Sequence, residues 1–286
     1  MMNLVARVTR KLEYRYLPTF YRNTLGWRKN RYYSKFCNDM REIYRQDKGK
    51  VESFFEVSRI KKEHLGVLDC VDCSSLAEQI AKHFRDVEQS VYSLPQSIAS
   101  SYTGDVFRIL KAIDPKLRSF YRSFYSPFWI QIQKNNPGIT EAGSAFQWHT
   151  DDNPIGVMKV FVYLNDVTES NGAFRAFPKK STRWLFFKGF RSNGIETRVS
   201  AQPLVERFYL KHPTKLRILE GGIGTVLGFD NNLVHKGTLP REGFRHVIQI
   251  LLYPSNKPLN QDNVRRALLS DRTKDYPIDP YEELCG

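Results

Sequence analysis

From Phe128 onward, short apolar or alternating apolar and polar runs are separated by turn signals. Alternation with a period of two is typical of a strand that buries one face. The strand-like runs are FWIQIQ, AFQWHTD, VMKVFVYLND, AFRAFP, RWLFF, TRVSA, GTVLGF, LVHKG and HVIQILLYP. Glycine-containing turns such as Asn136-Pro137-Gly138 and Gly221-Gly222 separate several of them. Closely spaced strands of this kind predict a double-sheet jelly roll or a related barrel.

Residues 36–125 carry a mainly helical pattern instead. The pattern is clearest after Ser74 and Ser75, either of which is placed to cap a run with apolar residues at helical spacing. We therefore predict an α+β chain, and the polar tail after Pro254 predicts loop and a short helix packed over the sheet. The predicted parts are a basic aromatic segment over 1–35, a helical support region over 36–125 and a jelly-roll core over 126–286.

The first 35 residues are strongly basic and aromatic. They hold nine of the 44 Lys and Arg residues against one acid, Glu13. Apolar residues share one side of a helical run that Pro18 ends, and basic residues lie opposite. This combination is typical of a segment that lies in a membrane interface. A solvated basic helix whose aromatic residues dock on the domain fits the same pattern.

Composition narrows the partners and the compartment. A chain of 286 residues with 41% hydrophobic content can bury a large core. Its net charge of +14 favours anionic partners, among them nucleic acid, anionic lipid and acidic substrates. The four cysteines are scattered, which predicts a reducing compartment, and no stretch approaches the roughly 18 apolar residues that span a bilayer. We expect a cytoplasmic protein, with peripheral contact to the cytoplasmic membrane face through its N-terminal segment.

Two histidines and one carboxylate are the strongest candidates for chemistry. His149 and Asp151 lie two residues apart in a strand-like run, so both side chains point to the same face. His235 lies in a second strand-like run behind a glycine-containing entry. The remaining histidines lie in a helix, in polar turns or on the opposite face of a strand: His83, His64, His212 and His246. Two histidines and one carboxylate form the facial ligand set of non-heme Fe(II) oxygenases.

Arg245 is the candidate that connects the metal to a cosubstrate. It shares one strand face with Val247, Gln249 and Leu251, so it is predicted to point toward the barrel interior. A buried arginine needs a partner, and a carboxylate that accepts two hydrogen bonds is the natural one. The position therefore predicts a clamp for a carboxylate cosubstrate.

The region 128–254 resembles the phytanoyl-CoA dioxygenase-like family of Fe(II)/2-oxoglutarate oxygenases. The motifs that carry the resemblance are Trp148-His149-Thr150-Asp151, the run YLNDVTESNG, and His235 followed by Arg245. One departure concerns the segment after the NG turn. Where the family often has Pro-Gly-Ser-His, this chain has Pro178-Lys179-Lys180-Ser181, and these cations can alter substrate selection without affecting the iron ligands.

The resemblance implies a double-stranded β-helix in which His149, Asp151 and His235 hold Fe(II). Three coordination positions then remain for 2-oxoglutarate and O2. The cosubstrate contacts implied are Arg245 with Thr238 at the distal carboxylate, and Gln131 or Gln133 from the first strand. Related halogenases replace the carboxylate with a small residue, so Asp151 implies hydroxylation of a C–H bond.

A basic and aromatic stretch lies between the two halves of the predicted metal site. Its candidate substrate contacts are Arg175, Lys179, Lys180 and Arg183. Clustered cations at a cleft attract an anionic small molecule or glycolipid, although a solvated surface balanced by acidic neighbours has the same composition. The size and layout are similar to the Kdo 3-hydroxylases, and this resemblance implies an acidic sugar of lipopolysaccharide, presented at a membrane surface, as the substrate.

Other functions stay open at this point. The same chemistry can act on a soluble anionic metabolite, a sugar nucleotide or an acyl thioester. Nucleic acid is less favoured, because no recognisable nucleic-acid-binding module is present. A jelly-roll protein that uses the metal only to hold a ligand is the non-enzymatic alternative. No obligate protein partner is indicated.

Overall fold

A computed structural model gives the fold of most of the chain. The residues that it describes are 27–48, 62–138, 144–151, 153, 156–192 and 195–270. The predicted interfacial helix before Pro18 lies outside the described residues. Among the described helices, none combines the length and the apolar character that crossing a bilayer requires.

The described part of the chain contains helices α1–α7 and strands β1–β9, numbered in chain order. The helices are α1 (Trp27–Lys48), α2 (Ser74–His83), α3 (Gln96–Ala99), α4 (Thr103–Tyr121), α5 (Lys179–Phe187), α6 (Ile195–Lys211) and α7 (Gln261–Leu269), with 3-10 turns at Ser100–Tyr102 and Pro213–Lys215. The strands are β1 (Leu65–Cys70), β2 (Val91–Ser93), β3 (Phe124–Asn135), β4 (Met158–Tyr163), β5 (Phe174–Ala176), β6 (Arg217–Leu219), β7 (Thr225–Asp230), β8 (His235–Lys236) and β9 (Arg245–Ser255).

Two antiparallel sheets form the barrel. The major sheet has the strand order β1-β7-β4-β9-β3-β2, and the minor sheet has the order β6-β5-β8. A bridge between His149 and His235 adds the segment before β4 to the minor sheet. From β3 to β9 the chain therefore passes repeatedly between the two sheets. This arrangement confirms the predicted double-stranded β-helix with helices packed on it.

The alternation of residues on β3 and β9 separates two environments. Ile132 and Ile248 are cross-strand partners that pack against the helices. The intervening residues Gln131, Gln133 and Gln249 line a cavity between the sheets. Because successive side chains on a strand point to opposite faces, one pair of strands supplies both the outer core and a polar interior wall.

Helices cover the outer face of the major sheet. α2, α4 and α7 bury apolar side chains there, among them Leu76, Ile113 and Val264. α1 packs on the same strands through Phe36 and Met40. The helix predicted after Pro254 corresponds to α7. The region predicted as helical support also contributes β1 and β2, which form the two edges of the major sheet.

Two predicted strands are helices. RWLFF lies in α5, where the buried residues Ser181, Thr182, Leu185 and Phe186 recur at helical spacing. TRVSA lies in α6, whose buried residues include Ala201, Val205 and Phe208. The strand prediction was wrong for both, because windows of five residues cover fewer than two helical turns and cannot distinguish a helical repeat from a strand.

Two local expectations also need correction. The predicted cap of α2 at Ser74 or Ser75 was wrong, because the cap position is Cys73 and the Asp72 carboxylate accepts a hydrogen bond from the Ser74 backbone at 3.1 Å. AFQWHTD was predicted as a strand, but its described pairing is the single bridge at His149. A turn over the preceding residues shortens the strand while leaving the facing of the histidine intact.

Candidate metal and cosubstrate site

His149 and His235 lie opposite each other in the antiparallel bridge that joins the segment before β4 to β8. Each backbone N–H donates to the carbonyl of the other residue at 2.9 Å. Their ring centroids are 4.3 Å apart. Cross-strand neighbours have side chains on one face, so this bridge brings together two histidines that are distant in sequence.

Asp151 completes a cluster with the two histidines. Its Oδ1 lies 3.2 Å from His149 Nε2, and its Oδ2 lies 3.9 Å from His235 Nε2. One ligand atom from each side chain lies within 4.8 Å of the other two. Both histidines are buried, and the Asp151 side chain is 9% exposed. Two imidazoles and one carboxylate in this arrangement can hold a divalent transition metal with positions left open.

Hydrogen bonds orient both imidazoles toward the metal position. His149 Nδ1 lies 2.7 Å from the Gln147 carbonyl, and His235 Nδ1 lies 2.8 Å from the Leu233 carbonyl. A carbonyl only accepts, so each Nδ1 carries the hydrogen and each Nε2 offers its lone pair. Burial, together with neighbouring His149, lowers the pKa of His235 well below its ordinary value. His235 is therefore neutral, which is the ligand form.

Lys159 is a member of the site that the sequence prediction missed. Its ammonium lies 2.6 Å from Asp151 Oδ2, and both side chains are less than 10% exposed. Burial alone would raise the pKa of Asp151, but Lys159 lowers it well below its ordinary value. The carboxylate is therefore ionised, with Lys159 on one oxygen and His149 Nε2 3.2 Å from the other. A single lysine in the apolar run VMKVFVY was the available signal.

An inner cavity of about 170 Å³ connects the metal cluster to Arg245. Residues from both sheets line it, including His149, Asp151, Lys159, Phe161, Phe174, His235, Arg245 and Gln249. Gln131 and Gln133 also line the cavity, where Gln131 donates to Ser93 and Gln133 accepts from Gln249. The structure thus brings both predicted glutamines to the wall of the chamber that holds the ligands.

Arg245 is buried with neutral partners. Its Nε and Nη2 donate to Asn135 Oδ1 at 3.2 and 2.7 Å, and Nη1 donates to the Gly172 carbonyl. No carboxylate among the described residues forms an ion pair with it. Burial lowers the pKa of Arg245, but a guanidinium stays charged in proteins. A buried cation without a counter-ion is costly, so the site is suited to a carboxylate ligand.

Two polar atoms in this region have no hydrogen-bond partner among the described residues. They are Asn135 Nδ2, on the residue that accepts from Arg245, and Thr238 Oγ1, and both are buried. A Cβ added to Gly172 would lie 2.7 Å from the Thr238 carbonyl, so Thr238 and Arg245 both approach this glycine. An anion in the cavity would pair with the guanidinium, whereas Thr238 is not among the described residues that line the cavity. The residues present therefore fit the distal carboxylate of 2-oxoglutarate.

The YLNDVTESNG segment positions Arg245 and the start of β9. Asn165 Oδ1 accepts from the His246 backbone at 2.6 Å, and Asn165 Nδ2 donates to the Phe244 carbonyl at 3.0 Å. Gly172 has a φ of +104°, which L-residues with a Cβ rarely adopt, and its carbonyl faces Arg245. The motif is therefore structural: its asparagine and glycine fix the backbone around the arginine.

Gln202 is a second contributor that sequence reasoning missed. From α6 its amide donates to the Trp148 carbonyl and accepts from the Trp148 N–H, each at 2.9 Å. The Trp148 indole donates to Glu206 at 2.7 Å. These bonds hold the residue next to His149 in the way that a neighbouring strand would. No local pattern in α6 marks this glutamine as part of the site.

The four predicted substrate contacts lie in different surroundings. Lys179 and Arg183 line a second cavity at the metal-binding end of the barrel. Lys180 is exposed and lies outside that lining. Arg175 lies in the minor sheet, where its guanidinium pairs with Glu169 at 2.7 Å.

No protein-family model and no curated protein matches the chain. Solved structures with a similar architecture include SnoN of nogalamycin biosynthesis, in complex with Fe3+ and alpha ketoglutarate (12% identity over 69% of this chain and 82% of SnoN, TM-score 0.47). EctD from S. alaskensis with bound Fe is 15% identical over 74% of this chain and 81% of EctD (TM-score 0.47). HygX from Streptomyces hygroscopicus with nickel, 2-oxoglutarate and hygromycin B is 14% identical over 71% and 88% (TM-score 0.48).

Proposed function

We propose that this chain is an Fe(II)- and 2-oxoglutarate-dependent oxygenase that hydroxylates a C–H bond of an anionic substrate. The observation that carries the proposal is one cavity with two ends. The cluster of His149, Asp151 and His235 lies in its wall, and the buried guanidinium of Arg245 lies in the same wall. In this arrangement a small dicarboxylate can bind the metal with one end and the guanidinium with the other end.

Each side chain of the cluster has a definite task. His149 and His235 would hold Fe(II) through Nε2, and Asp151 would hold it through a carboxylate whose other oxygen Lys159 engages. When bound, iron and 2-oxoglutarate supply an oxidant from O2, with succinate and carbon dioxide as by-products. The protein supplies orientation, because buried hydrogen bonds to Gln147 and Leu233 fix both rings before any ligand binds.

The remaining wall residues place the cosubstrate and exclude water. Arg245 would pair with the distal carboxylate. Assistance from the Thr238 hydroxyl stays a prediction, because Thr238 is not among the described residues that line the cavity. Phe161 and Phe174 pack at 5.2 Å between ring centroids and line the same cavity. An apolar wall next to the ligands limits access of bulk water, which strengthens the charged contacts inside.

For the substrate we favour an acidic sugar, with the Kdo residue of lipopolysaccharide as the first compound to test. The support is chemical: Lys179 and Arg183 line a cavity at the end of the barrel that carries the metal cluster. The WHxD, YLND and NG motifs support placement in the phytanoyl-CoA dioxygenase-like group. Lipid extracts and acid-released sugars from cells with and without the protein should differ by about 16 Da, the mass of one added oxygen.

Arg245→Leu tests the cosubstrate assignment. Removing one partner of a buried charged pair costs about 2–5 kcal/mol, so affinity for 2-oxoglutarate should fall roughly 30-fold or more. Metal affinity should change little. Calorimetric titration with Co(II) and then 2-oxoglutarate measures both, and Arg241→Leu, at an exposed position outside the cavity, is the matched control. Equal losses of metal and 2-oxoglutarate binding would refute the clamp.

Turnover separates an enzyme from a metal-dependent binding protein. With Fe(II) and ascorbate, the wild type should convert 2-oxoglutarate to succinate slowly even without substrate, and Asp151→Ala should abolish this conversion. If succinate does not form across a broad panel of acidic sugars and metabolites, the binding-protein alternative is favoured.

A further inference from the structure

A larger cavity, of about 580 Å³, lies at the metal-binding end of the barrel. We call it the basic cleft, and its charged or titratable lining residues include Arg41, Arg122, Lys179, Arg183, His64 and Asp230. Asn232 and Leu233 also line it, and they lead directly into His235. The Leu233 carbonyl is the acceptor for His235 Nδ1. The basic cleft and the metal cluster therefore lie on either side of one short segment.

Two residues of the basic cleft have an unfavourable backbone conformation. His64 has a φ of 62° and Arg122 has a φ of 56°, and they are the non-glycine residues with positive φ in the described part of the chain. A Cβ disfavours this region, and the position after a helix such as α4 commonly holds glycine. Such outliers cluster at functional sites. Both residues line the basic cleft.

The cations of the basic cleft are poorly compensated. Arg122 and Arg183 have no acidic partner among the described residues. Arg41 donates to neutral groups, the Tyr121 carbonyl and the Asn38 amide oxygen. Among the described residues, the lining therefore contains four cationic side chains and one carboxylate, Asp230. Surface cations normally stay in water, so convergence of this kind favours an anionic ligand.

A hydrogen-bonded chain holds Lys179 in place without neutralising it. Lys179 Nζ donates to His64 Nε2 at 2.8 Å, and His64 Nδ1 donates to Asp230 at 3.1 Å. An ammonium only donates, so His64 accepts at Nε2 and carries its hydrogen on Nδ1. Burial and then Arg183, one helical turn away, lower the pKa of Lys179, a sign of like charges held together.

We propose that the basic cleft binds an oxyanion group, a carboxylate or a phosphate, of the molecule that is oxidised at the metal cluster. Guanidinium groups bind both oxyanions through paired hydrogen bonds, and Lys179 adds a point charge. The link to oxidation rests on the proposed oxygenase function. The anion site itself stands on Arg122, Lys179 and Arg183, and binding can test it without turnover.

The test is calorimetric titration of the full chain with glucuronate, glucose 6-phosphate and uncharged glucose at low ionic strength. Removing a hydrogen bond to a charged group should weaken binding of the preferred anion roughly tenfold or more in Arg183→Gln. Arg122→Asn should do the same, and asparagine tolerates the left-handed backbone at that position. Lys180→Gln, which removes the same charge from an exposed neighbour outside the cleft, should bind like the wild type.

The outcomes separate the two proposals. Selective binding of glucuronate or of glucose 6-phosphate that depends on Arg183 and Arg122 supports the anion site and identifies the oxyanion. Equal binding of glucose, or equal loss in Lys180→Gln, would overturn it. Succinate formation by the wild type is measured separately: if it is absent while the anion still binds, the oxygenase assignment fails and the anion site remains.

Discussion

The pH dependence of stability can test whether the helices exclude water from His246 on the major sheet. It lies on the face of β9 opposite Arg245, with its ring 4.8 Å from that of Phe84 and 4.5 Å from that of Phe244. The residue is 5% exposed, and its Nε2 has no hydrogen-bond partner in the described part of the chain. Burial, with a smaller contribution from Lys134, lowers its pKa from 6.5 to about 4.

The sign of the pH effect follows from these two values. The unfolded chain binds a proton at His246 near pH 6.5, whereas the folded chain excludes it until about pH 4. The contribution to stability is therefore present above pH 6.5 and is lost as the pH falls toward 4. Proton linkage with these pKa values lowers the free energy of unfolding by about 2 kcal/mol between pH 7 and pH 5.

His246→Phe removes the titrating group and keeps an aromatic ring between Phe84 and Phe244. Urea unfolding at pH 7 and pH 5 should show that the wild type loses about 2 kcal/mol more than the variant over this interval. His212→Gln, which removes an exposed histidine, is the control and should keep the wild-type dependence. The same pH dependence in the wild type and His246→Phe would refute a buried, uncharged histidine.

Three further substitutions test the site and the backbone. Lys159→Met leaves one oxygen of the buried Asp151 carboxylate without its cation, so the free energy of unfolding of the metal-free protein should fall by about 3–5 kcal/mol. Co(II) should therefore raise the melting temperature of this variant more than that of the wild type. An equal rise in both proteins would contradict the pairing. Gly224→Ala should cost about 3 kcal/mol or more in urea unfolding, because φ is +82° and the new Cβ would lie 1.9 Å from the Val71 carbonyl oxygen. Gly104→Ala in α4 places a Cβ that meets no atom of the described residues within 4 Å, so it should raise stability by up to about 1 kcal/mol. A loss of stability would contradict this open space.

The sequence was most informative about the direction in which side chains point, because this direction follows from the two-residue repeat of extended backbone. A repeat of two predicted that His149 and Asp151 share a face and that Arg245 points inward, and the structure has both features. Facing is a local property of the backbone, so it survived even where the predicted strand shortened to a bridge. The helices α5 and α6 were mistaken for strands because the windows that suggested them cover fewer than two helical turns.

Contacts made across the fold could not be predicted in the same way. Lys159 reaches Asp151 because β4 follows the segment after the bridge, and Gln202 reaches Trp148 because α6 folds back on the minor sheet. Neither residue differs from an ordinary lysine or glutamine in its own neighbourhood. Their roles depend on which surface the chain returns to, and that is set by packing of the whole barrel.

The same reasoning explains why a net charge of +14 could not locate an anion site. Arg175, Lys180 and Arg183 lie within nine residues and are equivalent by composition. In the structure Glu169 pairs with Arg175, solvent surrounds Lys180, and Arg183 lines the basic cleft without an acidic partner among the described residues. Water and a paired acid both screen a cation, so only the third retains an unsatisfied attraction for a ligand. The position of a cation relative to acids and cavities, rather than the number of cations, therefore determines where an anion binds.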